Sequence, residues 1–152
     1  MSESFKRSAG RKVVSRSSAK ELGAVSHLLV DAQQVRIAAI VIGRGNKAQL
    51  AEWAQVSGFG PDAVMVVDDG ALRPPADDRE RAAAEGKLEL VGKRVLSERG
   101  NELGELDDVT FDADTGALEE LLIGDRRVQA TRSLLGCGSY AAVLAESEDP
   151  SA

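Results

Sequence analysis

Short apolar runs, separated by polar and turn-forming residues, recur along the whole chain. Each run is four to nine residues long, is rich in Val, Ile and Leu, and is closed by Gly, Asp or Asn. Runs of this length and composition are typical of β-strands. The predicted strands are 12–15, 23–31, 35–43, 50–56, 63–68, 93–97, 104–112, 117–124, 128–131 and 141–145. The pattern therefore predicts an all-β protein.

The same succession of motifs occurs twice. Gly10-Arg-Lys-Val-Val-Ser15 returns 82 positions later as Gly92-Lys-Arg-Val-Leu-Ser97. Glu21-Leu-Gly23 returns 81 positions later as Glu102-Leu-Gly104, and a third match joins 58–65 to 136–143 at an offset of 78. The offset changes only in polar, glycine-bearing stretches, where insertions cost little. We therefore predict two copies of one unit, in residues 10–68 and 90–146.

Within the second predicted strand of each copy, the alternation of apolar side chains slips. Leu28 and Val30 share one face of the strand, whereas Val25 falls on the other, and copy two repeats this arrangement. A bulge or a bend around a small barrel produces such a slip. Because closing a sheet also removes its exposed edges, the pattern predicts two small, mostly antiparallel β-barrels in tandem.

Residues 69–89 are predicted to link the two barrels. Two prolines end the preceding strand, Asp77 is suited to cap a helix and Gly86 to end it. We expect about two helical turns here, stiff enough to fix the distance between the barrels. Residues 1–9 are expected to form a disordered N-terminal arm, and residues 147–152 a frayed acidic tail.

Composition and charge exclude several classes of protein. Hydrophobic residues make up 43% of the chain and aromatic residues only 3%, so the core is expected to be aliphatic. No run approaches the ~18 apolar residues of a membrane span. The net charge is −6, yet the first 20 residues carry +5 and the rest −11, and an acidic body argues against broad nucleic-acid binding. The start lacks the apolar stretch of a signal peptide, and the single Cys137 excludes an internal disulfide, so a cytoplasmic location is predicted.

Three segments resemble the PRC-barrel family. They are Gly92-Lys-Arg-Val95, Gly104-Glu-Leu-Asp-Asp-Val-Thr-Phe-Asp-Ala-Asp-Thr-Gly116 and Trp53-Ala-Gln-Val-Ser-Gly-Phe-Gly-Pro-Asp-Ala-Val-Met-Val66. The family includes the cytoplasmic domain of the photosynthetic reaction centre H subunit and the C-terminal domain of a ribosome maturation factor. The likeness covers residues 10–68 and 90–146, and the tandem arrangement is similar to stand-alone bacterial PRC-barrel proteins. It implies small barrels that act by protein–protein contact, often self-associate, and carry no catalytic residues.

These observations predict a non-enzymatic adaptor or scaffold that binds a protein partner, with no cofactor or metal, and with a homodimer as one expected state. Trp53 and Phe59 lie together in a corner between strands and are either core residues or exposed anchors for a partner. Arg126 and Arg127 are candidates for contacting an acidic partner. The glycines expected to shape turns are Gly23, Gly60, Gly104, Gly116 and Gly138.

Two alternative functions remain open at this point. The motif Gly43-Arg-Gly45-Asn-Lys-Ala48 mimics a dinucleotide-binding loop if residues 47–56 form a helix between parallel strands. The match stands alone, because copy two lacks the second glycine. The other alternative is an RNA-processing or ribosome-maturation accessory that binds RNA through its basic N-terminal arm. With one His27 and one Cys137, the chain offers no His- and Cys-rich set for metal or nucleophilic chemistry.

Overall fold

The computed structural model describes residues 1–145, which fold mainly as β-strands with short helices. The strands of the N-terminal part are β1 (Ser2–Ser4), β2 (Lys12–Ser15), β3 (Glu21–Asp31), β4 (Arg36–Ile42), β5 (Gln49–Glu52), β6 (Val56–Phe59) and β7 (Ala63–Val66). Those of the C-terminal part are β8 (Arg94–Ser97), β9 (Glu102–Glu105), β10 (Asp108–Asp112), β11 (Leu118–Ile123), β12 (Arg126–Gln129), β13 (Leu134–Cys137) and β14 (Ala142–Leu144). The helices are α1 (Phe5–Ser8), α2 (Asp78–Ala84) and α3 (Ala130–Ser133). The mostly-β prediction is confirmed.

The strands form three sheets. One has six strands in the order β5-β4-β3-β2-β7-β6, and two have four strands, in the orders β13-β14-β8-β9 and β1-β10-β11-β12. All pairs are antiparallel except β2 with β7 and β8 with β14, which are parallel. Of the two apolar clusters in residues 1–145, the larger runs through both parts of the chain. Its most deeply buried members include Val13, Ile40, Val95, Leu121 and Phe111.

Within residues 1–145, none of these sheets closes on itself, which differs from the predicted closed barrels. The reason lies in the corner between β5 and β6. A single 3₁₀ turn, Trp53–Gln55, joins these two edge strands. There the N–H of Val67 donates to the C=O of Gln55 at 3.0 Å. A turn and a single hydrogen bond hold this corner, where a closed barrel would need a ladder of bonds.

The two halves of the chain use the same strand pairings in the same order. In the first half β4 pairs with β5 so that Ile40 faces Ala51, and in the second half β11 pairs with β12 so that Leu121 faces Val128. The parallel pair β2–β7 has its counterpart in β8–β14. The long strand β3 corresponds to β9 and β10 together, which are separated by residues 106–107.

Strand β3 bends where the sequence predicted a slip. Its register against β4 shifts between Val25 and His27, which confirms the predicted bulge. Gly23 has a φ of +146°, and a Cβ added to it would lie 2.7 Å from Cγ2 of Ile42. Gly104 in β9 has a φ of +128°, and its added Cβ would lie 3.3 Å from Cγ2 of Ile123. Both halves therefore use a glycine where the bent strand passes under an isoleucine.

The hairpin ends of the two halves join each other. Ile37 donates its N–H to the C=O of Gly116 at 2.9 Å, and Leu118 donates its N–H to the C=O of Val35 at 3.0 Å. These bonds flank a bridge between Arg36 and residue 117. With the offset of 81 found in the sequence, Val35 corresponds to Gly116 and Ile37 to Leu118, so the two hydrogen bonds are equivalent. The halves are thus related as in an isologous, two-fold interface.

Helix α2 lies against the first half of the chain. Asp77 caps it by accepting a hydrogen bond from the N–H of Glu80 at 2.8 Å, and Gly86 follows it with a φ of +81°, as the sequence predicted. Ala83 and Ala84 pack on an apolar patch of β3, β4 and β5. That patch consists of Leu29, Ala39, Val41, Ala48 and Leu50. The segment therefore covers one face of a sheet, a role that was not predicted for a linker.

The first nine residues do not form the disordered arm that was expected. Ser2–Ser4 pair with β10, with Glu3 opposite Phe111. Phe5, at the start of α1, is buried against Phe111, with ring centroids 5.6 Å apart. An aromatic side chain of this size gains enough by burial to hold a short segment in place. The predicted acidic tail, 147–152, lies outside the described residues.

The junction of the halves can be tested at Gly116, which has a φ of +79° and whose added Cβ would lie 2.8 Å from Cε2 of Trp53. We expect Gly116→Ala to lower the free energy of unfolding by about 2–4 kcal/mol, because it adds a clash to backbone strain. Gly100→Ala is the matched control, since Gly100 has a φ of +87° and open space around its Cα. This control should cost about 1 kcal/mol. Equal losses in urea unfolding would contradict the described contact.

A second test concerns the ion pair that anchors α2. Arg73 binds Glu80 through two hydrogen bonds of 2.7 and 2.8 Å, and this lowers the pKa of Glu80 from 4.5 to about 2. A lowered carboxyl pKa adds stability above pH 4.5, and this stability is lost as the pH falls towards 2. We expect Glu80→Gln to cost about 2 kcal/mol at pH 7 and almost nothing at pH 2. Glu89→Gln, at an exposed site, is the control and should show no such pH-dependent gap.

Candidate interaction surfaces

Trp53 and Phe59 lie in the core, in a cluster that joins the two halves. The ring of Phe59 lies 5.1 Å from Phe111 and 5.9 Å from Trp53, measured between centroids. Trp53 also meets Phe111 edge-on at 6.4 Å. Both side chains are less than a tenth exposed, whereas a partner anchor would need an accessible ring. Their observed role is to pack the first half against β10 of the second.

A buried ion pair covers one side of this aromatic cluster. Nη2 of Arg11 lies 3.2 Å from Oε1 of Glu3, and both side chains are less than a tenth exposed. The guanidinium also lies 5.3 Å from the centroid of Phe59 and donates from Nη1 to the C=O of Gly60 at 2.9 Å. A desolvated charge needs such partners. One of the basic residues of the N-terminal segment is therefore used inside the protein.

Arg126 and Arg127 begin β12, the edge strand of the C-terminal sheet. Both side chains are exposed. Nη1 of Arg127 lies 3.8 Å from Oε1 of Glu120 on β11, a weak surface contact. The preceding two-residue turn holds Gly124 at a φ of +59°, and its N–H donates to Oδ2 of Asp107 at 2.8 Å. The structure thus presents two adjacent cations on an accessible strand.

The remaining predicted turn glycines close matching corners in the two halves. Gly60 donates its N–H to the C=O of Ala63 at 3.0 Å, and Gly138 donates to the C=O of Ala141 at 3.1 Å. Each bond closes the turn that leads into the strand parallel to β2 or β8. These glycines therefore have a structural role in the two turns.

The Gly43–Ala48 loop does not have the geometry of a dinucleotide-binding loop. The segment after it forms strand β5, antiparallel to β4, in place of the helix that the alternative required. Ala48 is buried beneath α2. A pyrophosphate site of that kind uses the amides at the start of a long helix between parallel strands. The nucleotide-binding alternative is therefore left without its structural basis.

Two exposed apolar side chains were not singled out from the sequence. Leu135 in β13 is 54% exposed, and Tyr140, in the turn before β14, is 67% exposed. The guanidinium of Arg94 lies over the Tyr140 ring, 5.0 Å from its centroid. Their counterparts in the first half, at the offset of 78, are the polar residues Ser57 and Asp62. In the sequence, the change from a polar to a large apolar residue between these matching segments was the signal that would have found them.

The single histidine and cysteine are both engaged in structural contacts. Nε2 of His27 hydrogen-bonds the C=O of Ala83 in α2. Burial raises the pKa of the Cys137 thiol, so the reactive thiolate is disfavoured. Among residues 1–145, no three His, Cys, Asp or Glu side chains are grouped to hold a metal ion. In the same part of the chain, no helix combines the length and the apolar content that crossing a membrane requires.

Residues 88–139 match the family model of the PRC-barrel domain. Over these residues the chain is similar to the PRC-barrel domain. The match begins just before β8 and ends after β13, so it spans β8 to β13 and Leu135, and it confirms the family that the sequence motifs indicated. No curated protein matches the chain.

The placement of Trp53 predicts its fluorescence. The chain has one tryptophan, so its emission reports this position alone. Since the indole is only 9% exposed, we expect iodide to quench it several-fold less in the native protein than in the protein unfolded by urea. Quenching as strong in the native state as in the unfolded state would show an exposed ring and restore its role as a partner anchor.

Proposed function

We propose that the protein is a non-enzymatic protein–protein interaction module, an adaptor or scaffold, built from two PRC-type units. Residues 88–139 supply the recognised domain, and residues 10–68 are proposed as the second unit. The shared order of strand pairings supports this assignment, as do the matching glycine bends at Gly23 and Gly104. A cytoplasmic location and a homodimer remain predictions of the sequence.

The observation that carries the proposal is the exposed pair Leu135 and Tyr140. Large apolar side chains on an otherwise charged surface are typical of contact sites for other proteins. Both lie on the hairpin of β13 and β14, on the PRC-barrel domain or directly after it. Arg94 and its ion-pair partner Glu102, whose charged atoms are 3.1 Å apart, lie beside Tyr140 and supply a polar rim.

The alternative of an RNA-binding accessory has less support. Its basis was a free basic N-terminal arm, but the segment pairs with β10, and Arg11 is buried with Glu3. Lys12 also forms an ion pair, with 3.4 Å between its Nζ and Oε1 of Glu21. The buried Arg11 is not available to a phosphate backbone, and Glu21 offsets the charge of the exposed Lys12.

The proposal is tested by capture with the full chain as bait in its native cells. We compare the unchanged protein with Leu135→Ser/Tyr140→Ala, and use Ser57→Ala/Asp62→Ala as the matched control on the first half. Removing two anchors from a contact site typically weakens binding at least about tenfold. We therefore expect a specific partner that the control variant retains and the Leu135/Tyr140 variant loses.

Melting temperatures of the three proteins are compared so that a loss of binding is not mistaken for unfolding. If the unchanged protein and both variants capture the partner equally, Leu135 and Tyr140 do not form its contact site. Turnover of a substrate, or a clear thermal shift with a nucleotide panel, would overturn the non-enzymatic adaptor itself.

A further inference from the structure

The edge of the first sheet is completed by a single added residue. Leu50 in β5 donates its N–H to the C=O of Arg73 at 2.7 Å, and Arg73 donates its N–H to the C=O of Leu50 at 2.9 Å. The segment before α2 thus adds a short stretch of antiparallel pairing beside β5. An exposed strand edge is a ready site for such pairing, and here the chain fills it with its own residue.

The equivalent edge of the second half lacks this residue. Arg127 faces Leu122 in the same register in which Leu50 faces Val41. The backbone N–H and C=O of Arg127 therefore point away from β11, as those of Leu50 point away from β4. Within the part of the chain that the structure describes, neither group has a hydrogen-bond partner. The edge of β12 is thus geometrically prepared for one more strand.

The charges at the two edges are opposite in sign. At β5 the edge strand carries Glu52, and the added Arg73 is cationic, with 3.1 Å between their charged atoms. At β12 the edge strand itself carries Arg126 and Arg127, and Gln129 occupies the position of Glu52. A strand that completes this edge would therefore match it best with carboxylates.

A second copy of the chain is a poor occupant of this edge. Two β12 strands paired antiparallel would bring four arginine side chains together, and like charges facing each other across strands are destabilising. Glu120 offsets only part of this charge, since it lies 3.8 Å from Arg127, and Arg126 makes no ion pair within residues 1–145. The complementary occupant is an extended, acidic segment of another protein.

We propose that the edge of β12 binds an extended acidic segment of a partner protein, which adds an antiparallel strand beside Arg126–Gln129. Main-chain hydrogen bonds to Arg127 would supply affinity, and carboxylates beside Arg126 and Arg127 would supply selectivity. The inference rests on the proposed interaction function and names its partner chemistry. It concerns a different edge from the one that carries Leu135 and Tyr140.

The test is an amide NMR titration of the full chain with a blocked six-residue peptide, Glu-Glu-Val-Glu-Glu-Val, which places carboxylates on both faces of the added strand. We expect shifts centred on the amides of Arg126–Gln129. Two changes should each weaken binding at least about tenfold, the loss expected when close charge pairs or a main-chain bond are removed. One is Arg126→Glu/Arg127→Glu, and the other is N-methylation of the peptide at its central residues. Arg44→Glu/Lys47→Glu, at exposed positions of the first half's β4–β5 loop, is the matched charge control and should bind normally.

Several results would overturn this inference. If the β12 amides do not shift at millimolar peptide, or if a Lys/Val peptide binds equally well, the edge does not bind an acidic strand selectively. If the peptide binds only after residues 147–152 are deleted, the occupant of the β12 edge is the chain's own acidic C-terminus and not a partner protein. If the peptide fails while capture still depends on Leu135 and Tyr140, the proposed function stands and only this edge site falls.

Discussion

The packing of aromatic rings around Phe111 holds this structure together. The ring of Phe111 meets Phe5 of the N-terminal segment, Trp53 and Phe59 of the first half, and the rest of its own half. The chain has only five aromatic residues, and four of them meet here. Each such ring contributes about 2–3 kcal/mol when it is buried. A part of roughly 60 residues would bury little apolar surface alone, so the core that the two halves share adds to the stability of both.

Local patterns in the sequence predicted the features that depend on neighbouring residues. Short apolar runs predicted most of the strands but missed β1, β6 and β13. The slip at Val25 predicted the bulge, and Asp77 with Gly86 predicted the ends of α2. Contacts between distant segments were out of reach of such patterns. Phe5 stands alone in a polar stretch, and nothing local says that it packs against a residue more than a hundred positions away.

The candidate site was predicted only in part, for a similar reason. Arg126 and Arg127 were found as exposed cations because charge is visible in the sequence. Trp53 and Phe59 left two interpretations open, since an aromatic pair in a corner fits a core or a surface equally well. Their burial follows from the approach of the Gly116 hairpin, which is a property of the assembled halves.

The two halves share an order of strand pairings but carry different surfaces. The outer face of β3, β4 and β5 is apolar and lies under α2, with Leu29 paired to Ala39. The corresponding pair in the second half is Thr110 with Glu120, which are polar and lack such a cover. In the first half, therefore, the outer face of the sheet packs against α2 and is not available to a partner. The second keeps its edge and its hairpin accessible, and both proposed contact sites lie there.

The mutual pairing of the hairpins at Val35 and Gly116 has an effect on assembly. Each half offers the other the same pair of main-chain groups, so the geometry does not depend on both halves sitting in one polypeptide. The same contacts would join the first half of one molecule to the second half of another if residues 69–89 were released. The ion pairs of Arg73 with Glu52 and Glu80 hold that segment in place and would oppose such an exchange.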